Sequence, residues 1–168
     1  MRGAIATKVN LFHRRCAPSP LFPICYDQEE SIEHVLLLCP WVDHVWFGGA
    51  LGLRIVKPAV TTLFAWLEGV WNNYPGHNED RRKTLAYIAF TFWSIWKARC
   101  EVVFNSRQPS PERIILVVSM AASSFLEVCS DLGNTRIMVN ERPNGSSGWF
   151  PPANGVVKMN VGLPVGRD

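Results

Sequence analysis

Apolar residues recur every three or four positions along three stretches of the chain, and that spacing predicts three helices. Leu63, Trp66, Leu67, Val70 and Trp71 mark the first, which Tyr74-Pro75-Gly76 breaks. Leu85, Ile88, Phe92 and Trp96 mark the second, and Tyr87, Phe90 and Trp93 on its neighbouring faces make it apolar almost all round. A helix of that kind belongs at the centre of the fold. Glu79 and Asp80 stand near its start and Lys97 and Arg99 late in it, the order that a helix dipole favours. The third helix should open at Ser110-Pro111-Glu112, where Ser caps, Pro supplies the helical φ and Glu complements the dipole. Ile114, Val118, Ala121, Phe125 and Cys129 are its expected buried stripe and Gly133 its stop. Three helices with short connections predict a mainly α protein built as a small antiparallel bundle.

Outside those helices the pattern changes. Residues 1–48 hold three of the five Cys and two clusters of Pro, and within them a short helix is expected from Ile32 to about Leu38. Residues 58–132 form the expected helical connector, and residues 133–168, rich in Gly and Pro, read as an irregular tail. Only Val156-Val157-Lys158-Met159-Asn160-Val161 alternates as a strand should, so one short strand is expected near the C-terminus.

Composition narrows the classes of protein this can be. The 168 residues allow one compact domain or one plus a fragment. Hydrophobic residues at 48% with seven Trp and nine Phe argue against wholesale disorder. A net charge of +3 permits a nucleic-acid partner without demanding one. The longest uncharged apolar runs, Thr84 to Trp96 and Ile114 to Leu126, are shorter than the ~20 residues that span a bilayer, so no membrane partner is expected. An odd number of Cys and an N-terminus unlike a secretion signal predict reduced thiols and an intracellular protein, with nucleus and cytoplasm undistinguished.

The densest chemistry lies between Cys16 and Trp46. Cys25, His34 and Cys39 bring two thiolates and an imidazole into one short excursion of chain, a donor set that suits tetrahedral Zn²⁺. Three ligands leave such a site one short, and Cys16 is the candidate fourth. The alternative is a buried thiol pair and a satisfied histidine with no metal. Lys8, His13, Arg14 and Arg15 form the strongest basic cluster, either a solvated face or a phosphate contact made through Lys8, Arg14 and Arg15. Arg81, Arg82 and Lys83 form a second cluster, unfavourably placed at a helix start. Trp66, Trp71, Phe92, Trp93 and Trp96 are read as core rather than as a base-stacking platform. Cys100 and Cys129 are read as packing residues, and Glu29, Glu30 and Glu33 as solvated residues at a helix N-terminus. No nucleophile triad, phosphate loop or cofactor fingerprint is present, and no small-molecule substrate is expected.

Lys8-Val-Asn-Leu-Phe12, the spacing of Cys25, His34 and Cys39-Pro40, and Trp46 resemble the zinc-binding region that follows the reverse transcriptase in plant LINE-type (non-LTR) retrotransposons. Trp93-Ser-Ile-Trp96-Lys-Ala-Arg99 and Phe104-Asn105 are similar to the helical region after it. Trp149-Phe-Pro-Pro152 and Val157-Lys158-Met159-Asn160-Val161 resemble the entry into an RNase H-like domain, of which they would be the first strand. The resemblance implies zinc, a role in holding RNA or single-stranded DNA, and no catalysis by this chain. Two positions depart from the pattern: Phe22 stands where the family has its first Cys ligand, and Gly162 where an RNase H-like domain has its first catalytic carboxylate. The expectation is a retrotransposon-derived, non-catalytic fragment with weak nucleic-acid binding. A metal-free structural or protein-interaction fragment is the alternative.

Overall fold

The structure, a computed structural model, describes residues 5–73 and 77–134, and the expected strand at 156–161 and the Trp149–Pro152 motif lie outside them. The described residues form five helices, α1 (Lys8–His13), α2 (Pro40–Gly48), α3 (Leu63–Asn73), α4 (Asn78–Asn105) and α5 (Pro111–Asn134). A π-turn at His34–Leu38 precedes α2 and a 3-10 turn at Lys57–Ala59 precedes α3. Among the described residues there is no strand, only one antiparallel bridge between Leu21 and Glu29. The mainly helical fold expected from periodicity is the fold observed.

The three predicted helices are α3, α4 and α5, and their ends follow local chemistry. Ser110 Oγ accepts the Arg113 N–H at 3.2 Å and donates to Glu112 Oε2 at 2.7 Å, so the cap read from Ser110-Pro111-Glu112 forms. α4 stops at Ser106, where φ is +51° and the N–H of Ser106 closes back onto the Glu101 carbonyl. That reversal sends α5 back along α4. The Tyr87 hydroxyl lies 3.5 Å from Ser123 Oγ and the Phe90 ring meets Phe125 edge-on at 5.7 Å, so early α4 pairs with late α5 and the two are antiparallel.

α2, which the sequence reading did not anticipate, wedges against this hairpin. Pro40 starts it and Val42, Val45 and Trp46 are its buried side. The Trp46 indole lies 5.8 Å from Trp66 of α3 and 5.5 Å from Phe92 of α4, so one aromatic junction joins three helices. Its Nε1–H donates to the Leu36 carbonyl at 2.8 Å, which satisfies the buried donor and ties the junction to the π-turn. At Gly48 an added Cβ would sit 2.8 Å from Ile115 Cδ1, and this close approach lets α2 lie on α5.

Several burial expectations are corrected. On α5 the buried line is Ile114, Val118 and Ala122, whereas Ala121 is half-buried and Phe125 is exposed. Steps of four from Ile114 follow the face turned to α2 and α4; the step of three to Ala121 leaves it. On α4 the buried line is Thr84, Ile88, Thr91, Ser94, Ile95 and Arg99, while Leu85, Phe92 and Trp96 are half-buried. Small Thr91 and Ser94 suit a face crowded by three neighbours, and Thr91 satisfies its hydroxyl on the Tyr87 carbonyl at 2.7 Å. The aromatic set divides: Trp66, Phe92 and Trp96 pack on the core, but Trp71 and Trp93 are exposed. The Arg81 guanidinium covers the Trp71 ring at 4.6 Å. Cys100 and Cys129 are half-buried. Leu51, Leu53 and Ile55 pack inward and alternate with outward Gly52, Arg54 and Val56, and Gly52 takes φ +54°.

Candidate metal centre

Two local devices bring three soft donors together. The first is a tight loop, in which the Tyr26 N–H donates to the Phe22 carbonyl at 2.8 Å and the Phe22 N–H donates to the Gln28 carbonyl at 2.9 Å. Tyr26 takes φ +55° to close it, and Cys25 sits just before that reversal. The second is the π-turn. Ser31 Oγ accepts the His34 N–H at 3.0 Å and fixes the start of the turn. The Cys39 N–H then reaches back five residues to the His34 carbonyl at 3.0 Å. In an ordinary α-helix residues five apart point about 140° away from each other. The wider turn instead returns Cys39 over His34, so both donors face Cys25.

Cys25 Sγ lies 3.3 Å from His34 Nε2, and the donor atoms of Cys25, His34 and Cys39 all fall within 4.8 Å of one another. Such a group could hold a metal ion. His34 and Cys39 are buried and Cys25 is half-buried. Burial, reinforced by the nearby Lys57 cation and opposed by Asp27, lowers the His34 pKa and keeps the imidazole neutral, the form that ligates. Burial and the adjacent Cys25 push the Cys39 thiol up to about 11, against backbone N–H groups of Trp41 and Val42 that favour the thiolate. A cation among the donors would reverse that balance.

No family model, no curated protein and no solved structure matches the chain.

An apolar ring packs on one of the three donors. Phe22 is fully buried, with its ring edge-on to His34 at 5.4 Å between centroids. Cys16, the candidate fourth donor, is not part of the cluster: it is exposed, and its thiol donates to the Arg14 carbonyl at 3.4 Å. Of the basic candidates, Arg14 and Arg15 are exposed just past the end of α1, with Arg15 at φ +57°. Lys8 is half-buried at the other end of that helix, and its backbone N–H donates to Glu30 Oε1 at 2.8 Å. In the second cluster Lys83 pairs with Glu79 at 2.9 Å, one turn apart on α4.

Two glutamates expected in solvent are structural. Glu30 is fully buried and paired with Arg99, while half-buried Glu33 accepts the Leu63 N–H at 3.1 Å and so caps α3. Only Glu29 is exposed. Arg99 stood in plain view as a cation late in an apolar helix, yet nothing local in the sequence indicated a carboxylate 69 residues away as its partner.

Proposed function

We propose that residues 1–48 carry a zinc-binding unit of the kind found beside the reverse transcriptase of LINE-type retrotransposons, and that the chain is a non-catalytic module which associates weakly with RNA or single-stranded DNA. The observation that carries this reading is the convergence of Cys25, His34 and Cys39 within 4.8 Å. Two sulfurs and one imidazole are a donor set that Zn²⁺ favours. In a tetrahedral zinc site a sulfur and a nitrogen ligand are about 3.6 Å apart, which is close to the 3.3 Å between Cys25 and His34. Bound zinc would supply a fixed cross-link between the three side chains. The protein's part is to orient the donors by the loop and the π-turn, and to offer Arg14 and Arg15 as exposed cations nearby in sequence.

Elemental analysis of protein purified without added metal tests the zinc reading. The expected result is substoichiometric zinc in the natural chain, close to one zinc per chain in Phe22→Cys, and none after His34→Ala. No zinc in any of the three proteins overturns it. Gel shifts with single-stranded RNA at several salt concentrations test the second half: replacing Arg14 and Arg15 by Ala should flatten the slope of log affinity against log salt by about 1.4.

The competing reading, a metal-free interaction fragment, draws on one observation. Phe22 is fully buried and its ring packs edge-on against His34, so the imidazole already has an apolar partner.

A further inference from the structure

α5 carries large apolar side chains on its solvent-facing side as well as on its buried one. Among the described residues it supplies the one helical segment, Pro111–Ser130, long and apolar enough by length and composition to cross a membrane, and 17% of its 18-residue apolar window is buried. Opposite the buried line of Ile114, Val118 and Ala122, the outer face carries Leu116, Val117, Met120 and Val128, with Met120 63% and Leu116 60% exposed. A helix at the surface of a soluble domain ordinarily presents charged residues there, and large exposed apolar side chains clustered on one helix face mark a surface that something covers.

The arrangement of residues along this face identifies the occupant. Met120 lies at its centre. Arg113 and Glu127, both exposed, lie seven residues before and seven residues after Met120, and no charged residue stands between them. Seven residues are close to two full helical turns, so both charges share the Met120 face. If a second α5 is laid antiparallel across the first about a two-fold axis at Met120, Arg113 of each copy meets Glu127 of the other. At the intermediate levels Leu116 and Val117 of one helix lie over Ser123 and Ser124 of its mate, large side chains against small. A parallel arrangement would set Arg113 on Arg113 and Glu127 on Glu127.

We propose that the chain self-associates as an isologous dimer through the outer face of α5, antiparallel and centred on Met120. The sequence is self-complementary in charge and in size about that one point, which is what a two-fold interface requires. The inference is independent of the metal centre, which lies on other elements. A single helix pair buries an area at the small end of specific interfaces, so the dimer should dissociate at concentrations on the order of micromolar.

Sedimentation velocity of the full chain over a concentration series, with and without zinc, tests the proposal. The 18.9 kDa chain should shift toward twice that mass as concentration rises. Met120→Asp places two carboxylates face to face on the axis and should leave a monomer with an unchanged circular dichroism spectrum, since Met120 is solvent-exposed. Arg113→Glu and Glu127→Arg should each weaken association about threefold or more at low salt, and the double swap should restore it. A chain that stays monomeric at all concentrations overturns the proposal. So does a dimer indifferent to Met120→Asp. Monomers that bind phosphatidylcholine vesicles, and lose that binding in Met120→Asp, would assign the face to a lipid surface instead and equally overturn it.

Discussion

The carboxylate of Glu30 and the guanidinium of Arg99 meet at 2.7 Å with both side chains buried, 69 residues apart in sequence. Arg99 Nε also lies 3.1 and 3.2 Å from the two carboxylate oxygens, so the pair is held by more than one donor. Glu30 Oε1 further accepts the Lys8 N–H, and Arg99 Nη2 donates to the Ala6 carbonyl at 3.4 Å. One ion pair thus joins the segment before α1, the loop that carries Cys25, and α4. Removing one partner strands a charge in the interior, so Glu30→Ala or Arg99→Ala should each cost about 3–5 kcal/mol in urea denaturation. Arg99→Lys should recover little, because an ammonium cannot reproduce the forked contact.

Phe22→Cys trades packing for a ligand. In metal-free buffer with chelator the variant should be less stable than the natural chain by about 2–4 kcal/mol, since a fully buried aromatic is cut back to a thiol. With zinc in excess its melting temperature should rise above its own chelated value by far more than that of the natural chain. Differential scanning fluorimetry with and without chelator reads both.

Acid should act on the cluster in two ways. The His34 pKa in the fold lies below its unfolded value of 6.5, so the unfolded chain takes up that proton first. The share of stability linked to neutral His34 in the metal-free protein is therefore fully present above pH ~6.5 and is lost as pH falls from there toward the lower folded pKa. Denaturation of His34→Gln at several pH values should lack that share of the slope. Metal capture has the same sign, because Cys39 with its pKa near 11 must release a proton to ligate. Zinc affinity measured by competition with a chromophoric chelator should fall steadily as pH is lowered from 8 to 6.

Trp46 joins α2, α3, α4 and the π-turn. Trp46→Phe keeps most of the ring contact but leaves the Leu36 carbonyl without its donor, and should cost about 1–3 kcal/mol. Trp46→Ala should cost about 3–5 kcal/mol and loosen α3, whose Trp66 packs on that ring. Thermal unfolding of the two variants checks the difference.

Much of the helical body was legible because periodicity and caps are local signals. Ser110-Pro111-Glu112 fixed the start of α5, and the apolar repeat found α3 and α4. The donors were legible from residue type and spacing, and their convergence is observed. Facing was harder to read. Choosing Ala121 over Ala122 is a matter of one residue of register, decided by which neighbours α5 meets and not by its own sequence. The roles of Glu30 and Glu33 were invisible for the same reason: a carboxylate beside a helix start looks solvated until the distant group it serves is known. α2 escaped notice because it is a single helix of nine residues, and its Pro40, at the first helical position, is compatible with the helix it opens.

The π-turn and the loop that carries Cys25 are both closed by main-chain hydrogen bonds. The donors are aimed at each other by main-chain hydrogen bonds and by surrounding packing, so the entropy of ordering this loop is met by the polypeptide itself. An incoming cation would find a preorganised nest and spend little of its affinity on folding. Chelation should accordingly empty the site while the far-ultraviolet spectrum stays still, unlike small zinc fingers that unravel when stripped.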